Sequence, residues 1–218
     1  MAEYERANIT ICENCKTLFR KHFDVFTVIN LDTKGYISDN FRNQKINKVT
    51  CPNCDKIFTY ELHFLAYSLK KGFAVLALPG CKEQTYVSGK KCLYDIFGQK
   101  MPLFRLVNYQ CEVAEKVRIF ESGLDDFKIE YLKHKFFDSK YFDDKTLNIL
   151  LFKEKEGENL IFEYRDFLET LLETLTIPFE EYEKINVNYN TDSNSDDNIK
   201  WIKIDNKFFE ETNYEKQS

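Results

Sequence analysis

Four cysteines in two close pairs, Cys12-Glu13-Asn14-Cys15 and Cys51-Pro52-Asn53-Cys54, are the residues of this chain best suited to chemistry. A Cys-x-x-Cys segment folds into a tight turn that presents two sulfurs. A second such turn completes the tetrahedral thiolate shell that Zn²⁺ takes in structural sites. Other uses of the motif fit less well. Haem attachment needs His after the second cysteine, where Lys16 and Asp55 stand. A redox dithiol needs only one pair, placed at a helix N-terminus. A zinc deaminase also uses paired cysteines, but its catalytic Glu lies in an upstream His-x-Glu that is absent here. With Cys12, Cys15, Cys51 and Cys54 all ligating, no coordination position stays open for water or substrate, so the expected metal is structural.

The elements that position these pairs follow from local pattern. Ile9-Thr10-Ile11 reads as a strand entering the first turn, and Leu18–Leu31 is dense in aliphatic, aromatic and β-branched residues that favour strands. Tyr36–Gln44 can form one or two helical turns, and Ile46–Thr50 reads as the strand that delivers the second turn. The 35 residues between Cys15 and Cys51 exceed the compact ribbon spacing, which predicts a zinc ribbon with an inserted strand and helix.

Downstream, Ile57–Tyr67 and Phe73–Leu78 read as a β-hairpin, and Pro79-Gly80 marks a soft boundary. Residues 81–102 are assigned to a loop. Two helices follow in a short helical hairpin. The first is capped by Asn108, carries Val113, Val117 and Phe120 on one face, and stops at Gly123. The second runs from about Asp125 to Phe137 with Ile129, Leu132 and Phe136 at helical spacing. Leu147–Lys153 and Asn159–Tyr164 read as a second hairpin, Asp166–Leu175 as a helix stopped before Pro178, and Ile199–Ile204, with Trp201, as a last strand. The polar stretch 188–198 reads as a loop or insertion.

Cys12–Cys15 and Cys51-Pro52-Asn53-Cys54, with the hairpin through Phe58 and Tyr67 to Pro79, resemble the bacterial and archaeal CpXC domain, a family named for two Cys-Pro-x-Cys motifs. The resemblance continues through Glu115–Phe120, Gly123–Asp126 and Ile129-Glu130, covering most of residues 8–135. It implies a metal-binding domain of uncharacterised activity and supplies no catalytic residues. The chain departs from the pattern at Glu13, which replaces the first proline, and at Lys16 and Asp55, where no glycine follows the pairs. These changes bear on the ease of the turn, because glycine favours the left-handed backbone, more than on ligation.

Other chemistry-bearing residues read as structural. Cys111 lies near the start of a helix, where a thiolate could be stabilised, but no histidine partner is identifiable, and it reads as a small core residue. Cys81 and Cys92 lack paired spacing. His22 is a substitute ligand only if one cysteine is not, and His63 and His134 are scattered. Asp192-x-Asn194-x-Asp196 begins like a calcium loop, but Asp197 and Lys203 stand where that loop needs Gly and Glu. Asp125-Asp126 and Asp143-Asp144 are adjacent carboxylates of the kind that arise by chance among 36 acidic residues. No phosphate-loop, dinucleotide or hydrolase signature occurs.

With 218 residues, 43% hydrophobic and 31% charged, the chain has room for an ordinary core. The 20 Phe and 13 Tyr reflect compositional bias more than a binding surface. The net charge of −5 argues against a generic nucleic-acid binder, although residues 1–56 carry nine Lys/Arg against seven Asp/Glu. Seven cysteines, four of them in Cys-x-x-Cys pairs that point to metal more than to disulfides, and the absence of an apolar leader in Met1–Arg6 predict a cytoplasmic protein. The expected fold is α+β, with a zinc-ribbon-like module at 1–80 packed on a mixed helix and strand region at 81–218. The expected role is a zinc-stabilised interaction or regulatory module with a protein partner. A nucleic-acid-binding ribbon is the alternative, and an enzyme with a site outside the cysteines is a further one.

Overall fold

A computed structural model of the chain describes residues 2–12, 14–79, 103–137, 141, 148–166, 170–186, 202–204 and 208–209. Within them the fold is mixed α and β. A five-stranded sheet holds β1 (Ala2–Ile11), β2 (Leu18–Asn30), β5 (Phe64–Ser68), β6 (Phe73–Ala77) and β7 (Leu103–Val107), in the order β1-β2-β5-β6-β7. The pairs β2–β5 and β6–β7 are parallel and the others antiparallel. A separate two-stranded sheet joins β3 (Lys48–Thr50) to β4 (Ile57–Thr59), with Val49 opposite Phe58. A three-stranded antiparallel sheet, β10-β9-β8, comprises β8 (Ile149–Glu156), β9 (Asn159–Arg165) and β10 (Leu171–Pro178).

Four helices complete the described structure: α1 (Tyr36–Arg42), α2 (Gln110–Glu121), α3 (Asp126–Phe136) and α4 (Phe179–Glu183). Helix α2 is central. Val113, Ala114 and Val117 pack with Phe64, Phe73 and Val75 of the large sheet, while Ile119 packs with Leu150, Phe152 and Phe162 of the small one. A helix with sheets on two sides has little room for a polar face. Yet α2 buries Glu115 and Lys116 as well as its apolar residues.

Those charges are answered by partners. Arg105 of β7 makes a two-pronged contact with Asp126, through Nε at 2.6 Å and Nη2 at 3.0 Å. Lys116 Nζ lies 3.5 Å from Asp126 and 2.8 Å from Glu130. Lys133 reaches Glu130 at 3.1 Å and Glu115 at 2.5 Å, and the Glu115 carboxylate also accepts the Phe152 backbone N–H of β8. Three cations and three carboxylates, each no more than 7% exposed, thus form one neutral chain from the large sheet through the helical hairpin to the small sheet. Burial acts to raise Asp126, but Arg105 and Lys116 overcome it and hold the carboxyl below its ordinary range. Burial likewise acts to lower Lys116 and Lys133, and the carboxylates around them hold both above theirs.

The helical hairpin falls close to its predicted place. Its turn is made by Gly123 at φ +71°, a conformation that glycine adopts without strain. Asp125 caps α3, its side chain accepting the Phe127 N–H at 2.8 Å. Helix α2 starts one residue later than the expected Asn108 cap, at Tyr109. Glu112 replaces that cap by reaching back to accept the N–H groups of Asn108 and Tyr109, both at 2.8 Å. Burial of this carboxylate pushes Glu112 up to about 7. Its charged form is disfavoured in the fold, so its stability contribution is fully present below the unfolded value of about 4.3 and is lost as pH rises through about 7. Denaturation curves taken across that window should show Glu112→Gln losing this falling slope. Parallel curves for variant and parent would refute the assignment.

Three expectations are corrected. Ile57–Tyr67 is not one strand: β4 ends at Thr59, where Tyr60 donates its N–H to Asn47 O at 2.8 Å, and β5 begins afresh at Phe64 in the large sheet. Only the hairpin of β5 with β6 stands. The helix read across Asp166–Leu175 is, in its described part, strand β10, paired with β9 from Leu171 to Pro178. Thr174, Thr176 and Ile177 favour a strand, and ahead of it Asp166 accepts the Thr170 N–H at 2.7 Å. Of the expected last strand only residues 202–204 are described, and there Ile202 makes a single parallel bridge with Arg105. Residues 81–102 with Cys81 and Cys92, the stretch 188–198 with the calcium-like residues Asp192, Asn194 and Asp196, Trp201, and Asp143-Asp144 lie outside the described residues. No helix among the described residues is long and apolar enough to cross a membrane.

Candidate metal centre

The two cysteine pairs sit at the tips of two hairpins, β1–β2 and β3–β4, and the turns are built alike. Cys12 N–H donates to Thr17 O at 2.9 Å and Lys16 N–H to Cys12 O at 2.8 Å. In the second turn Cys51 N–H donates to Lys56 O at 2.9 Å and Asp55 N–H to Cys51 O at 3.0 Å. Each turn ends on a residue with left-handed backbone, Lys16 at φ +59° and Asp55 at φ +56°. These are the positions where the sequence lacks the favoured glycine. Left-handed backbone costs a non-glycine residue about 1–2 kcal/mol, less for Asp than for Lys, while glycine loses about 0.5–1 kcal/mol in ordering. Lys16→Gly is therefore expected to stabilise the protein by roughly 0.5–1 kcal/mol and Asp55→Gly by less. Urea melts of the metal-loaded protein check this, and a destabilised Lys16→Gly would contradict it.

The likeness extends to packing. Phe19 and Phe58, each four residues past its second cysteine, pack with Val49 and the cysteines in one small cluster. Phe23 and Tyr60 close it edge to face, with ring centres 5.3 Å apart. Leu18 and Ile57, each three residues past its second cysteine, point to solvent, and Ile11, paired with Leu18, does so too.

The four sulfurs all lie within 4.8 Å of one another. The pairs Cys12–Cys54 and Cys15–Cys51, which cross between hairpins, stand at 3.6 Å. Sulfurs bound at 2.3 Å around a tetrahedral zinc would be about 3.8 Å apart, so the cluster is of the right size to hold a metal ion. Cys12 and Cys51 are fully buried; Cys15 and Cys54 are half-buried. All four are free thiols rather than disulfides.

Backbone and side-chain dipoles are aimed at the sulfurs. The side chain and backbone of Thr17, then the Asn53 side chain, bring Cys15 down to about 5. The Lys56 backbone N–H, followed by the Asn14 side chain, lowers Cys54. Burial pushes Cys51 up to about 11, against the N–H groups of Asn53 and Cys54. The half-buried Cys15 and Cys54 thus lose their protons more readily than the buried Cys51.

Other candidate residues lie apart from this cluster. A shallow hollow, lined by Phe41, Ile46, Lys48, Gln110, Cys111 and Ala114 among others, opens where α1 and α2 meet the β3–β4 hairpin. Its polar floor is occupied: Gln110 accepts from Asn47 Nδ2 at 2.7 Å and donates to Tyr60 O at 2.8 Å. His22 and His63 are exposed on the surface, and His134 stacks on Phe209 with ring centres 5.5 Å apart. Asp125 and Asp126 serve as a helix cap and an ion-pair partner. The residues that sequence reasoning missed are Arg105, Glu115, Lys116, Glu130 and Lys133. The signal available was two adjacent charges, Glu115-Lys116, beside the apolar face of a helix.

The family model described as CpXC protein matches residues 10–133, more than half of the chain, and includes all four cysteines. The chain belongs to the CpXC family. No curated protein and no solved structure matched the chain. The matched span takes in both cysteine turns, strands β2 to β7 and all of the helical hairpin but its last turn, so this CpXC chain carries its cysteine cluster and all six residues of its ion network within the family region. Strands β8, β9 and β10 lie beyond it.

Proposed function

We propose that this CpXC protein is a zinc-clasped interaction or regulatory module of the cytoplasm, in which Cys12, Cys15, Cys51 and Cys54 hold one structural Zn²⁺. The observation that carries the reading is the convergence of four thiols from two matching turns, within 4.8 Å of one another. Two facing cysteine hairpins are the arrangement of a zinc ribbon. The inserted β2–α1 segment accounts for the wide sequence gap between the pairs.

Four thiolates fill a tetrahedral shell, so the metal has no open position for substrate and acts by holding the hairpins together. Zinc suits the role because four sulfur donors favour a soft or borderline cation, and because zinc has no redox chemistry of its own. A protein partner is the expected ligand of the module. The exposed Ile11, Leu18 and Ile57, which flank the cysteine turns, supply apolar contact surface beside the clasp.

Metal analysis of protein purified under reducing conditions tests the reading, with one zinc per chain as the expected result. Chelation should then unfold the cysteine hairpins reversibly. Metal-free protein with unchanged hydrogen-exchange protection at residues 12–23 and 46–60 would overturn it.

A further inference from the structure

Each cysteine pair has asparagine before its second cysteine, and each asparagine reaches across to the other hairpin. Asn14 Nδ2 donates to Cys54 Sγ at 3.6 Å, and Asn53 Nδ2 donates to Cys15 Sγ at 3.6 Å. From this geometry we infer that Asn14 and Asn53 form a reciprocal latch that shields the two accessible sulfurs and sets how long the clasp retains its metal. The inference rests on the zinc-clasp reading of the same four cysteines and adds two residues to it.

The argument begins with charge. Four thiolates around a divalent cation leave a net charge of −2, which nearby N–H dipoles must offset. The buried sulfurs are served from within their own turns. Cys12 accepts the Cys15 backbone N–H at 3.5 Å, and Cys51 accepts that of Asn53 at 3.4 Å. The half-buried sulfurs, Cys15 and Cys54, each receive their own turn's backbone N–H and a second donor from the opposite asparagine. An incoming proton or oxidant, whose attack frees the metal for a chelator, meets these accessible sulfurs first. An amide already bonded there competes for the lone pair the attacker needs. Because each amide belongs to the opposite hairpin, the two bonds also tie the turns to each other independently of the metal.

Both asparagines are exposed, and neither side chain packs in a core cluster. Substitutions at such positions ordinarily change stability little. A large effect on the metal would therefore report the sulfur contacts themselves. Loss of an outer-shell partner typically weakens metal binding about 10–100-fold, and each leucine variant is expected to release metal about 10-fold faster.

The test uses the full chain loaded with Zn²⁺, and separately with Co²⁺. Release of zinc to a chromophoric chelator is timed for the parent, Asn14→Leu, Asn53→Leu and the double variant. The sulfur-to-cobalt charge-transfer band is recorded for each. Leucine is close in size to asparagine but donates nothing. Faster release together with a band moved to longer wavelength supports the latch, because a sulfur stripped of an N–H donor gives up its electron more easily. Recovery of both readouts in Asn53→Gln, which keeps an amide donor, supports it further. Parent-like release and an unmoved band in the double variant overturn the latch while leaving the clasp intact. A parent protein that binds neither metal overturns the clasp itself.

Discussion

Cys51→Ala is expected to lose the metal and, with it, the ordered structure of both cysteine hairpins. Cys51 is fully buried at the centre of a cluster with three other buried residues, Cys12, Val49 and Phe58. The sheet behind it is two strands of three residues each. A two-stranded hairpin of that size is marginal in water, and so small a core cannot offset the entropy of ordering it. Structural zinc contributes an apparent binding energy of about 10–16 kcal/mol in small peptides, comparable with the whole stability of a domain.

The loss should be local. The large clusters around α2 draw on other residues, so secondary structure should persist there while hydrogen-exchange protection disappears at residues 12–23 and 46–60. Metal content and site-resolved exchange provide the measurement. A Cys51→Ala protein that kept one metal per chain and the parent's protection would show that the clasp does not depend on its fourth thiolate.

Asp126→Asn is expected to destabilise the whole chain by about 3–5 kcal/mol, the range for breaking a buried ion pair from one side. The substitution is isosteric, so no cavity accompanies it. It leaves Arg105 buried with a carbonyl contact to Phe104 but no carboxylate, and leaves Lys116 with Glu130 alone. Equilibrium urea unfolding measures the effect. A change within about 0.5 kcal/mol would show the network to be dispensable, since that is the range of ordinary surface substitutions.

Replacing Arg105 and Asp126 together by apolar residues of similar volume should be far milder than Asp126→Asn, because no orphaned charge is left. The pH dependence has the opposite sign from that of Glu112. Asp126 is held below its ordinary range, so its contribution is present above the unfolded value of about 3.9 and is lost as pH falls through the folded one.

The cysteine cluster was legible in the chain because its chemistry is written in residue types at fixed spacing. The helical hairpin was legible for a related reason: Gly123 and Asp125 perform local tasks, a left-handed turn and a cap, that depend on few distant partners. Strand β10 was not. Leu171–Ile177 has enough helix-compatible residues to read either way, and the free backbone of β9 decides the matter by pairing. The ion network was hidden more deeply. Glu115, Lys116 and Lys133 look like residues of a solvated helix face, and only the sheets packed on both sides of α2 make them interior. Their meaning lies in partners 14 and 21 residues away, as with Lys116 to Glu130 and Arg105 to Asp126, which no local window compares.

The same six-residue network restricts how this chain can diverge. Arg105, Glu115, Lys116, Asp126, Glu130 and Lys133 carry three positive and three negative charges that cancel one another. Changing any one strands an opposite charge in the interior, and the next mutation must arrive before selection removes the first. Relatives should therefore differ at these positions in matched pairs or blocks, with a cation and a carboxylate exchanged or lost together. The exposed residues of β2 outside the apolar surface beside the clasp, such as Arg20, Lys21 and His22, bear no such obligation and can drift one at a time.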